Sequence, residues 1–153
     1  MPIADMRTKK VVEFHLKNHQ RKVKIDCIKV MSALEKSKAL FLAPPSYINV
    51  ILVSNRKIKE INRVFLHKNT PTDVLSFKLS SYDGEVIISA EMAAENAIRY
   101  GITTEYEVLY LIIHGYLHLK NYTDYKERER EEMFKIQDRI FYKVIKSIEK
   151  KDE

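Results

Sequence analysis

The sequence predicts one α/β domain built as a sandwich around a mixed sheet of about four strands packed with helices, spanning residues 1–153. Three observations predict it. Short β-branched runs are interspersed with amphipathic helical stretches along the whole chain. Asp83-Gly84 stands between two strand-like runs and marks a hairpin. The chain of 153 residues, 45% hydrophobic and 31% charged, is long enough for one core and ordinary for a globular protein.

Val11–Leu16 is β-branched and aromatic and reads as the first strand. Arg21–Leu40 reads as a helix, with Val23, Cys27, Val30, Met31 and Leu34 on one face and lysines outside it. Cys27 falls on that apolar face, which predicts a buried structural residue rather than a reactive thiol. Ala43-Pro44-Pro45 ends the segment, and Tyr47–Val53 follows as a strand, apolar enough to be central. Ser54 or Asn55 caps a short helix through about Phe65, and Lys68–Thr72 is a polar loop. Asp73–Leu79 and Glu85–Ser89 are the two strands of the hairpin. An alanine-rich helix starts at Ser89 or Ala90 and ends at Gly101, a left-handed cap residue. Thr104-x-x-Glu107 has the form of a capping box and opens the next helix, which is apolar on nearly every side. Lys126–Lys150 is a last amphipathic helix.

Composition excludes several classes. No apolar run is long enough to span a membrane, and the first ten residues lack a signal-peptide core. The lone cysteine, Cys27, forbids an intrachain disulfide, so a cytoplasmic protein is expected. The net charge of +6 is concentrated at the start, where residues 1–40 hold ten Lys/Arg against four Asp/Glu. Residues 41–102 hold seven against six, and residues 103–153 ten against eleven. Such a basic third suits an RNA partner, and on charge alone it equally suits a solvated lysine-rich face.

The chemistry concentrates in His114-Gly115-Tyr116-Leu117-His118, with Asp124 six residues on. Histidines four apart share one helical face, their Cβ atoms ~5–6 Å apart. Two nitrogens there can converge on one metal at ~2.0–2.1 Å, and a following carboxylate can complete a three-ligand site with an open position. Of three glycines, Gly84 and Gly101 have turn and cap duties, whereas Gly115 sits inside a helix at a cost of ~1 kcal/mol relative to alanine. That points to close approach of another element or a ligand. The pattern is H-E-x-x-H with Gly115 in place of the glutamate base, so proton transfer falls to Asp124, Asp73 or a second water. The plainer reading is a pair of buried histidines bonded to the backbone, with Asp124 capping the last helix.

These residues resemble the YbeY family of bacterial rRNA-maturation endoribonucleases, small zincin-like metalloproteins. The family's H-G-x-L-H-L-x-G-Y-D-H aligns without gaps with His114–Asp124, and its P-T-D/N-V-L-S-F stands as Pro71–Phe77. Gly84–Ile88 matches its G-D-I/V-x-I segment, and Asn62 precedes Pro71 at the usual distance. The resemblance covers roughly residues 47–134. It implies an α+β fold with a mixed sheet and zincin-like metallohydrolase architecture. It also implies one divalent metal ion, zinc foremost, held by His114, His118 and Asp124. The catalytic candidates are then His114 and His118, acting through a metal-bound water, with Asp73 and His67 as further candidates. The implied substrate is single-stranded ribosomal RNA, in small-subunit 3′-end maturation and ribosome quality control, with ribosomal subunits as partners. Two departures stand out: Asp124 replaces the family's third histidine, and Phe65-Leu66 replaces its Tyr-Arg pair, with Asn69 where an acidic residue is usual. His67 or Lys68 is then a substitute cation. The rival readings are a ribosome-associated binding factor with a structural metal, and a metallohydrolase acting on protein or a small molecule.

Overall fold

The computed structural model describes residues 10–149. The strands are β1 (Glu13–Asn18), β2 (Tyr47–Val53), β3 (Val74–Lys78) and β4 (Asp83–Ser89). The helices are α1 (Cys27–Lys36), α2 (Asn55–Leu66), α3 (Ala90–Tyr100), α4 (Thr104–Leu119) and α5 (Glu127–Glu149). Lys150, the expected end of the last helix, lies outside the described residues. The sheet order is β1-β2-β4-β3, with β1–β2 and β2–β4 parallel and β3–β4 antiparallel. This is the mixed four-stranded α+β arrangement expected, with β2 and β4 in the middle.

Alternation along the central strands gives the sheet two buried faces. Ile48, Val50 and Leu52 of β2 and Val86 and Ile88 of β4 join the main core, with helices α1, α4 and α5. Ile87 and Val53 join a smaller cluster with Ile58 of α2 and Leu75 of β3. Because α4 lies inside the main core, it is apolar all round: Val108, Ile112 and Ile113 are 0% exposed.

Local chemistry sets the helix ends. Ser54 Oγ accepts from Lys57 N, Ser89 Oγ accepts from Met92 N, and Gly101 closes α3 at φ 68°. Four expectations need correction. The helix expected over Arg21–Leu40 begins at Cys27, because Gln20 exchanges hydrogen bonds with the Val23 backbone and Asp26 then caps the helix through Lys29 N. It ends at Lys36, and a 3₁₀ turn spans Lys38–Leu40. The strand expected at Val11–Leu16 is shifted to Glu13–Asn18, with Val11 forming an isolated bridge to Leu42.

The other two corrections bear on the site. Asp83-Gly84 is not the hairpin turn; both residues belong to β4. The turn is made by Ser80, whose Oγ accepts from Tyr82 N and Asp83 N. Gly84 instead makes room for α4, since a Cβ there would lie 2.6 Å from Leu119 Cδ1. The capping box is likewise absent. Thr103, not Thr104, caps α4 by accepting from Tyr106 N, and Glu107 turns inward at 2% exposure. Cys27 is half-buried against the main core, and burial first, then Asp26 and Glu105, push its thiol pKa up, as suits an inert thiol.

Candidate metal centre

Helix α4 packs across β3 and β4, and Gly115 is one point of close approach. A Cβ at Gly115 would stand 2.6 Å and 2.7 Å from the two Val86 methyls and 3.0 Å from Ser76 Oγ. The mid-helix glycine is therefore a requirement of helix-to-sheet contact, and it seats the neighbouring histidines at the end of the sheet beside β3. The chain leaves α4 through Asn121 at φ 73°, a left-handed conformation that asparagine tolerates. Tyr122 N donates back to Leu117 O at 3.0 Å, and this tight reversal returns Asp124 to the face carrying the histidines.

His114 Nε2 and His118 Nε2 lie 3.0 Å apart, with the rings nearly perpendicular at 81°. Asp124 Oδ2 lies 3.8 Å from the first nitrogen and 3.6 Å from the second. One ligand atom from each of the three residues falls within 4.8 Å of the others. The side chains are 15%, 28% and 33% exposed, so the cluster is half-buried yet open to an ion.

The other ring nitrogens determine which tautomers face the cluster. Gln137, 1% exposed on α5, donates its Nε2 to Tyr110 O at 3.3 Å, which orients its amide. Its Oε1 therefore faces His114 Nδ1 at 3.0 Å, and the imidazole must be the donor. His118 Nδ1 similarly faces the Tyr122 carbonyl at 3.1 Å and donates to it. With both Nδ1 atoms donating, the two Nε2 atoms meet beside a carboxylate, an arrangement that a shared cation stabilises. Burial, followed by His114, lowers the His118 pKa against the opposing pull of Asp124 and Tyr122.

The donor set fits a zinc-type ion. Two nitrogens bound tetrahedrally at ~2.0–2.1 Å stand roughly 3.3 Å apart, close to the separation seen. Two imidazoles with one carboxylate and an open side is a catalytic rather than a structural set. The capping alternative for Asp124 loses ground, since its Oδ2 faces the histidines.

The three residues form one wall of an open cleft of about 680 Å³, whose other walls include Leu66, Asp73, Ser76 and Lys78. Asn62, 3% exposed on α2, donates to Thr70 O at 2.9 Å and so holds the loop that leads to Asp73. Asp73 thus lines one cleft with His114, His118 and Asp124. His67 does not join them. It occupies the left-handed C-cap of α2 at φ 58° and is exposed, and neither it nor Lys68 lines the cleft. The lysine lining the cleft is Lys78, bonded to Asn121 Oδ1.

A family model described as Endoribonuclease YbeY matches residues 7–145. The chain belongs to the YbeY family. A relative named Endoribonuclease YbeY from Syntrophomonas wolfei is 35% identical over 123 residues, 71% of this chain and 79% of its own. One of the same name from Acholeplasma laidlawii is 39% identical over 101 residues, 63% and 74% of the two chains. The solution structure of a Thermotoga maritima protein superposes with a TM-score of 0.63 at 30% identity, covering 91% of this chain and 93% of that one.

Within this YbeY-family fold, two residues of the site escaped sequence reasoning. Gln137 left one signal, a lone amide one turn after Met133 on the buried stripe of α5. Lys78, at the end of β3, left none. The basic first third opens on β1, and β1 and β3 are opposite edges of the sheet, so β2 and β4 lie between that strand and the cleft strand β3.

Proposed function

We propose that this endoribonuclease cleaves single-stranded RNA, ribosomal RNA in particular, using one divalent ion held by His114, His118 and Asp124. Family membership makes the chain a nuclease of the hydrolase class. The observation that carries the metal reading is the meeting of the two Nε2 atoms 3.0 Å apart in an open cleft beside Asp124. Held by these three residues, a zinc-type ion would supply Lewis acidity towards a phosphoryl oxygen.

The chain's own groups do the rest. Gln137 and the Tyr122 carbonyl hold the two imidazoles in the tautomer that leaves Nε2 free. Lys78 offers a positive charge to a backbone phosphate in the cleft. Asp73, a carboxylate in the same cleft, takes the proton from the attacking group, the duty that glutamate performs where Gly115 stands in H-E-x-x-H. The exposed faces of Tyr122 and Tyr125 suit stacking of unpaired bases, which favours single strands over duplex. Small-subunit 3′-end maturation, ribosome quality control and work on ribosomal subunits are the biological settings we assign to this activity. The basic segment around β1 and α1 serves a more distant stretch of the RNA.

Elemental analysis of purified protein tests the metal set: about one ion per chain in wild type and markedly less in Asp124→Ala. Equal metal in both removes Asp124 from the ligands. Cleavage of single-stranded but not duplex RNA by wild type, lost in His114→Ala, tests the activity. A second reading, a ribosome-associated binding factor with a structural ion, is favoured by Leu66, which puts an aliphatic side chain on the cleft wall where the family places arginine. Wild type and His114→Ala equally inert towards RNA would favour it over the nuclease reading.

A further inference from the structure

Asp73 is tied to a buried carboxyl group on the metal-bearing helix. Its Oδ2 accepts from Asn96 Nδ2 at 3.2 Å, and the same nitrogen donates to Glu107 Oε2 at 3.0 Å. An amide nitrogen carries two hydrogens, so one asparagine serves both carboxyls. The three residues come from three elements: Asp73 just before β3, Asn96 on α3 and Glu107 on α4. The Asp73 backbone is pinned as well, its carbonyl accepting from Ser89 N at 2.9 Å.

Glu107 is costly where it stands. It is 2% exposed, among helix neighbours Val108, Leu109 and Leu111 that are 0%, 1% and 4% exposed. No salt bridge to it is found among the described residues. An apolar residue would fill the position at lower cost, because an unpaired buried carboxylate is strongly penalised. What a carboxyl adds is an acceptor. It engages one Asn96 N–H and thereby aims the other at Asp73. Glu107 precedes His114 by seven residues, ~10 Å along a rigid helix. The helix that carries the two histidines therefore also sets where the Asp73 carboxylate lies across the cleft.

We propose that Glu107 and Asn96 are positioning residues for Asp73, holding its carboxylate in register with the metal ligands through a shared amide bridge. The inference rests on the role given to Asp73 under the proposed function. Burial raises the Glu107 pKa to about 7, Asn96 opposes the rise and the Asp73 charge adds to it, so the two carboxyls sense each other through the bridge. On its far side Glu107 borders a shallow cavity with Tyr100, Tyr110 and Asp138, the other ionisable groups near it.

Two measurements decide it. The first is single-stranded RNA cleavage, with kcat and KM resolved, for Asn96→Ala, Glu107→Leu and Glu107→Gln, alone and combined with Asp73→Asn. Asn96→Ala and Glu107→Leu should each lower kcat about tenfold or more, because misplacement of a reacting group by ~1 Å costs up to ~10²-fold. KM and metal content should stay within about twofold of wild type. Glu107→Gln, which keeps an acceptor oxygen, should retain most of the activity, and in the Asp73→Asn background none of the three should cost anything further. Costs that add to that of Asp73→Asn overturn the proposal. The second is a carboxyl ¹³C NMR titration of Glu107, which needs no activity and no Asn96 variant that folds. Asp73→Asn should shift the Glu107 midpoint down from about 7. A midpoint indifferent to Asp73 overturns the bridge. Wild-type protein that leaves RNA uncut sinks the proposed function instead, and the titration then decides the bridge by itself.

Discussion

Gly115→Ala sets two opposed effects against each other. Alanine is ~1 kcal/mol better than glycine in a helix interior, so an isolated α4 would gain from the change. In the folded protein the new Cβ falls 2.6 Å and 2.7 Å from the Val86 methyls. Carbon atoms in good contact stand about 3.5–4.0 Å apart, so the overlap is roughly 1 Å. Turning the Val86 side chain does not clear it, because two methyls share three staggered positions and two of those face the glycine. Nor can Val86 retreat, being 0% exposed in a strand paired on both sides. Helix α4 must lift, and overpacking of this kind costs about 1–3 kcal/mol, commonly more than the propensity gain. The expected net loss is about 1 kcal/mol, or ~2–4 °C in Tm for a chain of this size. His114, His118 and Asp124 travel together with the helix and its following turn, so metal content should hold while cleavage falls as the cleft widens. Urea unfolding followed by circular dichroism, beside elemental analysis, measures both. Val86→Ala should rescue part of the loss, with a coupling of at least about 1 kcal/mol in the double mutant. A Gly115→Ala protein as stable as wild type or more so, or a double mutant whose costs simply add, would refute the close-contact argument.

Three further outcomes are expected. Glu107 is raised from 4.5 to about 7 by burial, so the folded state holds its proton more tightly than the unfolded chain. Its ionisation therefore erodes stability as pH climbs from about 4.5 to about 7. Glu107→Gln should match wild type near pH 4 and exceed it by about 2–3 kcal/mol at pH 8 in denaturant unfolding, and a variant less stable at pH 8 contradicts this. Gln137→Leu leaves His114 Nδ1 without its acceptor and should weaken zinc affinity about 10–100-fold by competition with a chelator; unchanged affinity would show that the tautomer needs no such help. Lys78→Ala should raise KM for single-stranded RNA and reduce its salt dependence by about one charge, while Leu66→Arg should speed cleavage about tenfold or more; a Lys78→Ala enzyme with the wild-type salt slope removes that lysine from the phosphate path.

Where sequence and structure agree, the determinants are local. Ser54 and Ser89 act through their hydroxyls and Gly101 through its left-handed backbone, all within one helical turn, so these residues alone specify where α2 and α3 begin or end. Asp83-Gly84 and Thr104-x-x-Glu107 look equally local, yet both were overruled from a distance. Leu119 needs the space at Gly84, and the core takes Glu107 inward to Asn96. A glycine or a glutamate carries no mark of which long-range neighbour will claim it.

The same division runs through the site. Four-residue spacing put His114 and His118 on one helix face, and the glycine between them signalled a close approach that Val86 and Ser76 supply. The motif also singled out Asp124 as their companion. Helical periodicity is a property of consecutive residues, and it could be read without any fold. Tertiary structure alone decided which imidazole nitrogen is free, since that depends on Gln137, 23 residues from His114, and on a backbone carbonyl. It also separated two candidates of equal standing, bringing Asp73 into the cleft and leaving His67 on the surface at the end of α2. Both stand near the same loop in sequence. What distinguishes them is the pairing of β3 with β4 and the grip of Asn96, contacts made only when distant segments pack.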